Sequence, residues 1–261
     1  MISIPDVQPI ELDDLAAYAD DIPYLLGLEA APQILYKNAE TVQREFNQDK
    51  WGILLEKLRS VDNASIEDAD QFNTGENKYQ VFYSGERLYL ADLELVQRIY
   101  FDFIRGKLMP LLEKTQHLVE LGAGYGSIIL KLAALPSLSQ IRYTAGEFTE
   151  TGINCIRLLA ASKHLSLEAD YCDLNNLNLC VFDIPENSVF LTCWAMAYLK
   201  GFPRSTLHEI IRHKPTVVVH IEPMYEHWSK NSLLHLLWKR YLLLNDYNQT
   251  ILSALKSYEK E

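Results

Sequence analysis

Basic residues are in short supply. Twenty-four Lys and Arg stand against 35 Asp and Glu, so the 261-residue chain carries a formal charge of −11. Nucleic-acid affinity comes mainly from cations at phosphates, and this deficit argues against a nucleic-acid partner. Long apolar runs are missing as well. The longest, residues 189–199 and 216–221, fall short of the ~18 apolar residues a bilayer-spanning helix needs, so no membrane span is expected. Asp6, Glu11, Asp13, Asp14 and Asp20 lie at the start, where a secretory signal would be basic; a cytoplasmic chain is expected. Cysteine is sparse. Cys155, Cys172, Cys180 and Cys193 form no C-x-x-C pair and have no histidine at zinc-ligand spacing, so reduced, buried thiols are expected and no metal site. Repeats and low-complexity tracts are absent too. What the chain does have, 48% hydrophobic and 23% charged residues, is ordinary for a packed protein and excludes intrinsic disorder.

Residues 1–115 read as mainly helical. Apolar residues recur every three or four positions over 13–28, 39–59 and 93–112, the helical period, and Pro110 marks the end of the third helix. Residues 79–83 suit a short strand. From His117 the texture changes: short apolar runs at 117–121, 141–145, 165–169, 189–192 and 216–221 alternate with helical stretches at 127–134, 150–163 and 205–213. Such alternation predicts an α/β protein, a Rossmann-like, doubly wound and mostly parallel sheet. The expected boundary lies near 115, with residues 1–115 a helical cap or lid and 116–261 the ligand-binding domain.

The first of these runs ends in VELGAGYGS, residues 119–127. Gly122, Gly124 and Gly126 permit positive φ and close approach of a ligand to the backbone, and the amides of the following helix face whatever lies above. A dinucleotide site with G-x-G-x-x-G spacing would need glycine at 127, which is Ser127. Glu120 would repel a pyrophosphate but can pair with an ammonium group. A tight strand–helix turn with no ligand is the plainer reading.

This pattern resembles the first motif of the class I S-adenosylmethionine-dependent methyltransferases: an acid, an apolar residue, then Gly-x-Gly-x-Gly. The resemblance implies that Glu120 faces the methionine end of the cofactor S-adenosylmethionine and that Gly122, Gly124 and Gly126 line it. Glu147, at the tip of the second strand, would take the two ribose hydroxyls, as acids do in dinucleotide sites. Asp170 would sit against the adenine amino group, with Asp173 as its competitor and Tyr171 beside the ring. Trp194 would wall the sulfonium or belong to the core. Phe190 stands where many members carry an acid, a departure that leaves no catalytic role to transfer there.

Strand five runs into VHIEPMYEHW, residues 219–228. Strand alternation puts His220 and Glu222 on one face, making them candidate catalytic bases, with Glu226 and His227 behind them; the alternative is an interior histidine and a strand-ending acid. Asn245, Asp246, Tyr247 and Asn248 could bind acceptor hydroxyls or cap a helix, and Tyr79, Tyr83, Tyr89 and Tyr100 are candidate pocket aromatics. The segments 192–198, 220–227 and 240–250 look similar to a subgroup acting on sugars or peptide-derived natural products. That resemblance implies O-methylation of a small-molecule or peptide acceptor. A peptide carboxylate acceptor and a non-catalytic binding module are the alternatives. After Trp228 the chain reads as two helices, 233–244 and 249–258, without the sixth and seventh strands of the family. Residues 216–221 would then be an exposed apolar edge, explained by a truncated chain, by a homodimer partner or by an N-terminal segment covering it.

Overall fold

The computed structural model describes residues 7–17, 25–27, 37–75, 78–85, 87–175, 183–201, 204–229 and 231–258. Its N-terminal part is less helical than expected. β1 (Val7–Ile10), β2 (Tyr79–Ser84) and β3 (Arg87–Asp92) form an antiparallel sheet in the order β1-β3-β2. Of these, only the second was legible. β1 is four residues long and carries Pro9, which an edge strand tolerates because its outer amides need no ladder partner. β3 runs straight into a helix, so its alternating Leu88 and Leu90 merge with the helical period.

The expected helix over 39–59 is a continuous helical run with a change of pitch. α1 (Ala39–Val42) passes into a π-helical stretch, Gln43–Lys50, and then α2 (Trp51–Arg59). Asn38 starts it with a capping box, its side chain accepting from Thr41 N at 2.9 Å while Thr41 Oγ1 accepts from Asn38 N at 3.0 Å. α3 (Ile66–Thr74) begins the same way at Ser65 and Asp68, and α4 (Leu93–Leu112) carries Pro110 in its last turn. The expected helix over 13–28 is a 3-10 turn at Leu12–Ala17; residues 18–24 and 28 lie outside the described residues.

The apolar runs from His117 onward become the second sheet: β4 (His117–Leu121), then α5 (Ser127–Ala133), β5 (Arg142–Glu147), α6 (Glu150–Ser162), β6 (Glu168–Tyr171), β7 (Val189–Cys193), α7 (Arg204–Arg212) and β8 (Val217–Ile221). The five strands are parallel throughout, in the order β6-β5-β4-β7-β8. This is the doubly wound, Rossmann-like arrangement. α8 (Leu233–Leu244) and α9 (Ile251–Tyr258) follow it. Among the described residues no further strand joins β8, whose five residues are all half-buried. No helix among them is long and apolar enough to cross a membrane.

One apolar core crosses the expected boundary at 115. Leu54 and Leu58 of α2, Ile66 of α3 and Ile104 and Leu108 of α4 share it with Leu118, Ile129, Ile156 and Leu191 of the parallel-sheet layer. A polar tie reinforces this joint. Buried Asp70 of α3 accepts from Tyr125 Oη at 2.7 Å and Ser127 Oγ at 2.8 Å, and pairs with Lys131 Nζ at 2.5 Å. Those three donors lie in the turn between β4 and α5 and along α5 itself, so α3 holds the glycine turn from outside. Asp70→Ala would strand two hydroxyls and an ammonium and is expected to cost about 3 kcal/mol of unfolding free energy, read from urea melts of the two proteins.

Candidate functional site

In an open parallel sheet of this order the connections diverge between β4 and β7, and ligands bind beyond the strands' carboxyl ends at that point. A cavity of about 800 Å³ lies there, within the ~300–1,000 Å³ typical of ligand sites. The glycine turn, the segments after β5, β6 and β7, and the helical run 37–51 supply its walls.

Gly122 shows why this turn needs glycine. Its φ is +73°, and a Cβ there would lie 2.4 Å from Ala195 Cβ. With no side chain in the way, Gly122 N and Ala123 N both donate to Gly146 O, at 2.7 and 3.0 Å. Gly126 caps α5 at φ +84°. The turn is therefore pinned to the tip of β5, where Glu147 completes the fixing. One carboxylate oxygen accepts from Gly124 N at 2.8 Å; the other accepts from Thr149 N at 2.9 Å and Thr149 Oγ1 at 2.6 Å.

Glu120 and Glu147 are 2% and 5% exposed, and both line the cavity. Burial pushes Glu120 up to about 8, against one hydrogen bond from Ile129 N at 3.1 Å, and the neighbouring Glu147 adds to the rise. Burial also raises Glu147 above its ordinary value, while bonds from Thr149 and Gly124 oppose the shift. The two acids of the sequence motif thus meet on one wall, poised to gain from any cation that enters.

The third acid differs from expectation. Asp170 does not line the cavity: it is half-exposed on β6, facing Arg157 of α6 at 3.9 Å. Its competitor Asp173 is buried on the cavity wall and accepts from Asn175 N at 2.8 Å. The choice turned on where β6 ends; the strand continues to Tyr171, so only residues beyond it bend into the mouth.

Trp194 lines the cavity with an unusual backbone, φ +57°, for a bulky side chain. Two grips hold it. Trp194 N donates to Ile221 O at 3.1 Å, and the next three amides, of Ala195, Met196 and Ala197, donate to the Glu222 carboxylate at 3.1, 3.1 and 3.3 Å. Glu222 therefore anchors the loop from behind, and burial pushes it up to about 7. His220 does share its face: Nδ1 is hydrogen-bonded to Thr192 Oγ1 at 2.8 Å, and Thr192 bonds Glu222 in turn. Burial pushes His220 down to about 4, which keeps the imidazole neutral. Neither residue lines the cavity, so the geometry gives them a structural place and corrects their expected role as bases.

Their neighbours are spent likewise. Glu226 caps α9 by accepting from Leu252 N and Ser253 N at 2.7 and 3.0 Å. Asp246 accepts from Lys37 N at 2.7 Å, and Asn248 ties to Ala197 O and Gly201 O. The expected aromatics Tyr79, Tyr83, Tyr89 and Tyr100 do not line the cavity; Tyr100 Oη contacts a lining residue, Cys193, at 3.0 Å from its Sγ. Phe46, Trp51 and Tyr198 line it instead. No local motif marks them, because the π-helical stretch that aims Phe46 departs from the helical period. Gln43 Nε2 bonds Phe148 O at 3.0 Å and Asn47 Oδ1 accepts from Thr151 N at 3.0 Å, stitching that stretch to the β5–α6 corner. Among the described residues no cluster of His, Cys, Asp and Glu could hold a metal ion.

The raised acids give the stability a pH signature. A carboxyl whose folded value lies above the ordinary 4.5 stabilises fully below that value and loses its contribution as pH rises through about 7 for Glu222 and 8 for Glu120. Thermal midpoints are expected to fall between pH 5 and 8.5, and Glu120→Gln should flatten the upper part of that fall.

No protein-family profile matches the chain, and no curated protein matches it. Solved structures align over part of it. A coclaurine N-methyltransferase bound to N-methylheliamine and S-adenosylhomocysteine shares 15% identity over 77% of this chain and 57% of its own, with a TM-score of 0.46. The plantazolicin methyltransferase BpumL, in complex with a pentazolic desmethyl analogue and S-adenosylhomocysteine, shares 14% over 63% and 61%, with a TM-score of 0.41. A S-adenosylmethionine-dependent methyltransferase from Clostridium acetobutylicum ATCC 824 shares 14% over 50% and 52%, with a TM-score of 0.38. The chain thus spans little more than half the length of each of these proteins.

Proposed function

We propose that the chain binds S-adenosylmethionine in this cavity and acts as a class I methyltransferase, transferring the methyl group to an oxygen of a sugar or a peptide-derived natural product. One observation carries the reading: two buried carboxylates, Glu120 and Glu147, flank a fixed glycine turn on the wall of a single cavity at the sheet's divergence point. The donor set fits the cofactor. Glu120, held up by burial, favours a cationic amino acid end, and Glu147 stands on the same wall, where ribose hydroxyls would share its oxygens with Gly124 and Thr149. Gly122 and Gly124 leave the backbone of the turn bare beside them, whereas Gly126, expected to line the cofactor as well, is off the cavity wall and packs toward Ile156 and Leu130. Asp173 takes the place at the adenine end.

When bound, S-adenosylmethionine supplies a methyl group on a positively charged sulfur. What remains for the protein is alignment and exclusion of water. The fixed turn holds one side, while Trp194 and Tyr198, on the loop anchored by Glu222, line another. A nicotinamide dinucleotide suits this wall less well, since Ser127 stands where the G-x-G-x-x-G spacing needs glycine.

Calorimetry tests the assignment. Glu147→Ala and Asp173→Ala are each expected to weaken S-adenosylhomocysteine binding by about tenfold or more, the worth of one charge-assisted hydrogen bond, whereas Asp170→Ala should leave it unchanged. Binding of NAD in preference to the nucleoside, or equal binding by Glu147→Ala and the parent protein, would discard the reading.

A further inference from the structure

Charge is sorted along the cavity wall. Its acids, Glu120, Glu147 and Asp173, stand at or just beyond the ends of β4, β5 and β6, whereas Lys37 comes from just before the helical run, Lys50 from within it and Lys200 from the segment after β7. Lys37 is the informative one. Its side chain is only 8% exposed, and its ammonium pairs with Glu45, which also takes Lys50 Nζ at 2.8 Å. Burial raises Glu45, but the bonds from Lys37 and Lys50 outweigh that and hold it below its ordinary value. One ionised carboxylate therefore serves two ammonium groups that both line the cavity, and the trio keeps a net charge of +1. Lys50 is 43% exposed, so the excess charge is partly solvated and open to an anion in the cavity, while Asp246 takes the backbone amide of Lys37.

The surroundings of that charge are aromatic. Lys37 Nζ lies 5.3 Å and 5.9 Å from the ring centres of Tyr198 and Tyr247. Phe46 meets Tyr198 edge-on at 5.0 Å, and Trp194 meets Tyr247 at 6.3 Å. A second, independent observation concerns proton removal. Methylating a neutral hydroxyl requires a base within reach of its proton. Among the described residues lining the cavity there is no histidine. Its three acids each accept backbone hydrogen bonds at the strand-end wall.

We propose that the methyl acceptor is an aromatic carboxylate, its carboxyl group held by Lys37 and Lys50 and its ring against Phe46, Trp194 and Tyr198. The inference rests on the methyltransferase reading, narrows its oxygen acceptor to a carboxylate and sets aside a sugar hydroxyl, for which the described residues of the cavity wall offer no histidine. An acceptor of this kind needs no base: a carboxylate oxygen forms the new O–CH₃ bond as the S–CH₃ bond breaks, the bonding pair leaves with the sulfur, and anion and sulfonium both end neutral without a proton moving.

The test is calorimetric, on the full chain saturated with S-adenosylhomocysteine. The probes are indole-3-acetate, indole-3-acetamide and tryptamine, with phenylacetate, phenylacetamide and benzylamine as a smaller-ring series. A carboxylate is expected to bind about tenfold or more tighter than its amide, and the amine weakest. Incubation with S-adenosylmethionine should yield the methyl ester by mass spectrometry. Lys37→Met should erase the preference and Lys37→Arg retain it. Glu45→Gln, which releases both ammonium groups, should strengthen carboxylate binding severalfold and leave amide binding unchanged; a purely structural ion trio would not give these opposite signs. Equal binding of carboxylate and amide, preference for the amine, no binding by any probe, or weakening by Glu45→Gln overturns the proposal. Failure to bind S-adenosylhomocysteine at all overturns the cofactor reading, and this inference with it.

Discussion

A buried carboxylate tied to backbone amides organises this molecule. Glu147 binds Gly124 N with one oxygen and Thr149 with the other, so the first two strand-to-helix corners of the parallel sheet share a single side chain. Removing a carboxylate from water costs several kcal/mol, and the hydrogen bonds offset that cost only while the turn keeps its shape. The positive φ values of the three glycines, the paired amides on Gly146 O and the Asp70 tie from α3 all serve to keep it. The turn's geometry is thus held by the protein's own hydrogen bonds.

A second carboxylate repeats the device on the far side of the divergence point. Glu222, at the end of β8, gathers the amides of Ala195, Met196 and Ala197 and so maintains the strained backbone at Trp194. Thr192 links it to His220. These polar groups form the rear support of a wall whose front is aromatic, and the division of labour explains why a chemically dense stretch such as HIEPMYEHW contributes so little to the cavity surface.

Much of this was legible in the chain itself. The apolar run 117–121 and the alternation that follows it specify a parallel sheet, because strands buried on both faces leave continuous hydrophobic text; β4 and α8 lie where the periodicity put them. Glu120, the glycines and Glu147 could be found because spacing along one strand–turn–helix unit is a local property. Asp170 and Asp173 could not be told apart, since strand ends shift by a residue or two without changing composition. The lysines and aromatics of the helical run were invisible for a different reason. Their placement depends on long-range stitching, Asn47 to Thr151 and Gln43 to Phe148, and on a pitch that no 3.6-residue pattern encodes.

That pitch has a structural corollary. A π-helical turn holds one more residue than its α-helical counterpart, and Gly52 sits beneath this one with no room for a side chain: a Cβ would lie 2.8 Å from Asn47 O. Deleting a single residue between 43 and 50 would restore regular winding with little net rotation of the flanking helices, but it would return Phe46 to the α-helical period and disturb the bonds from Gln43 to Phe148 and between Asn47 and Thr151. The extra residue thus reshapes one wall of the cavity while α2 keeps its seat in the core.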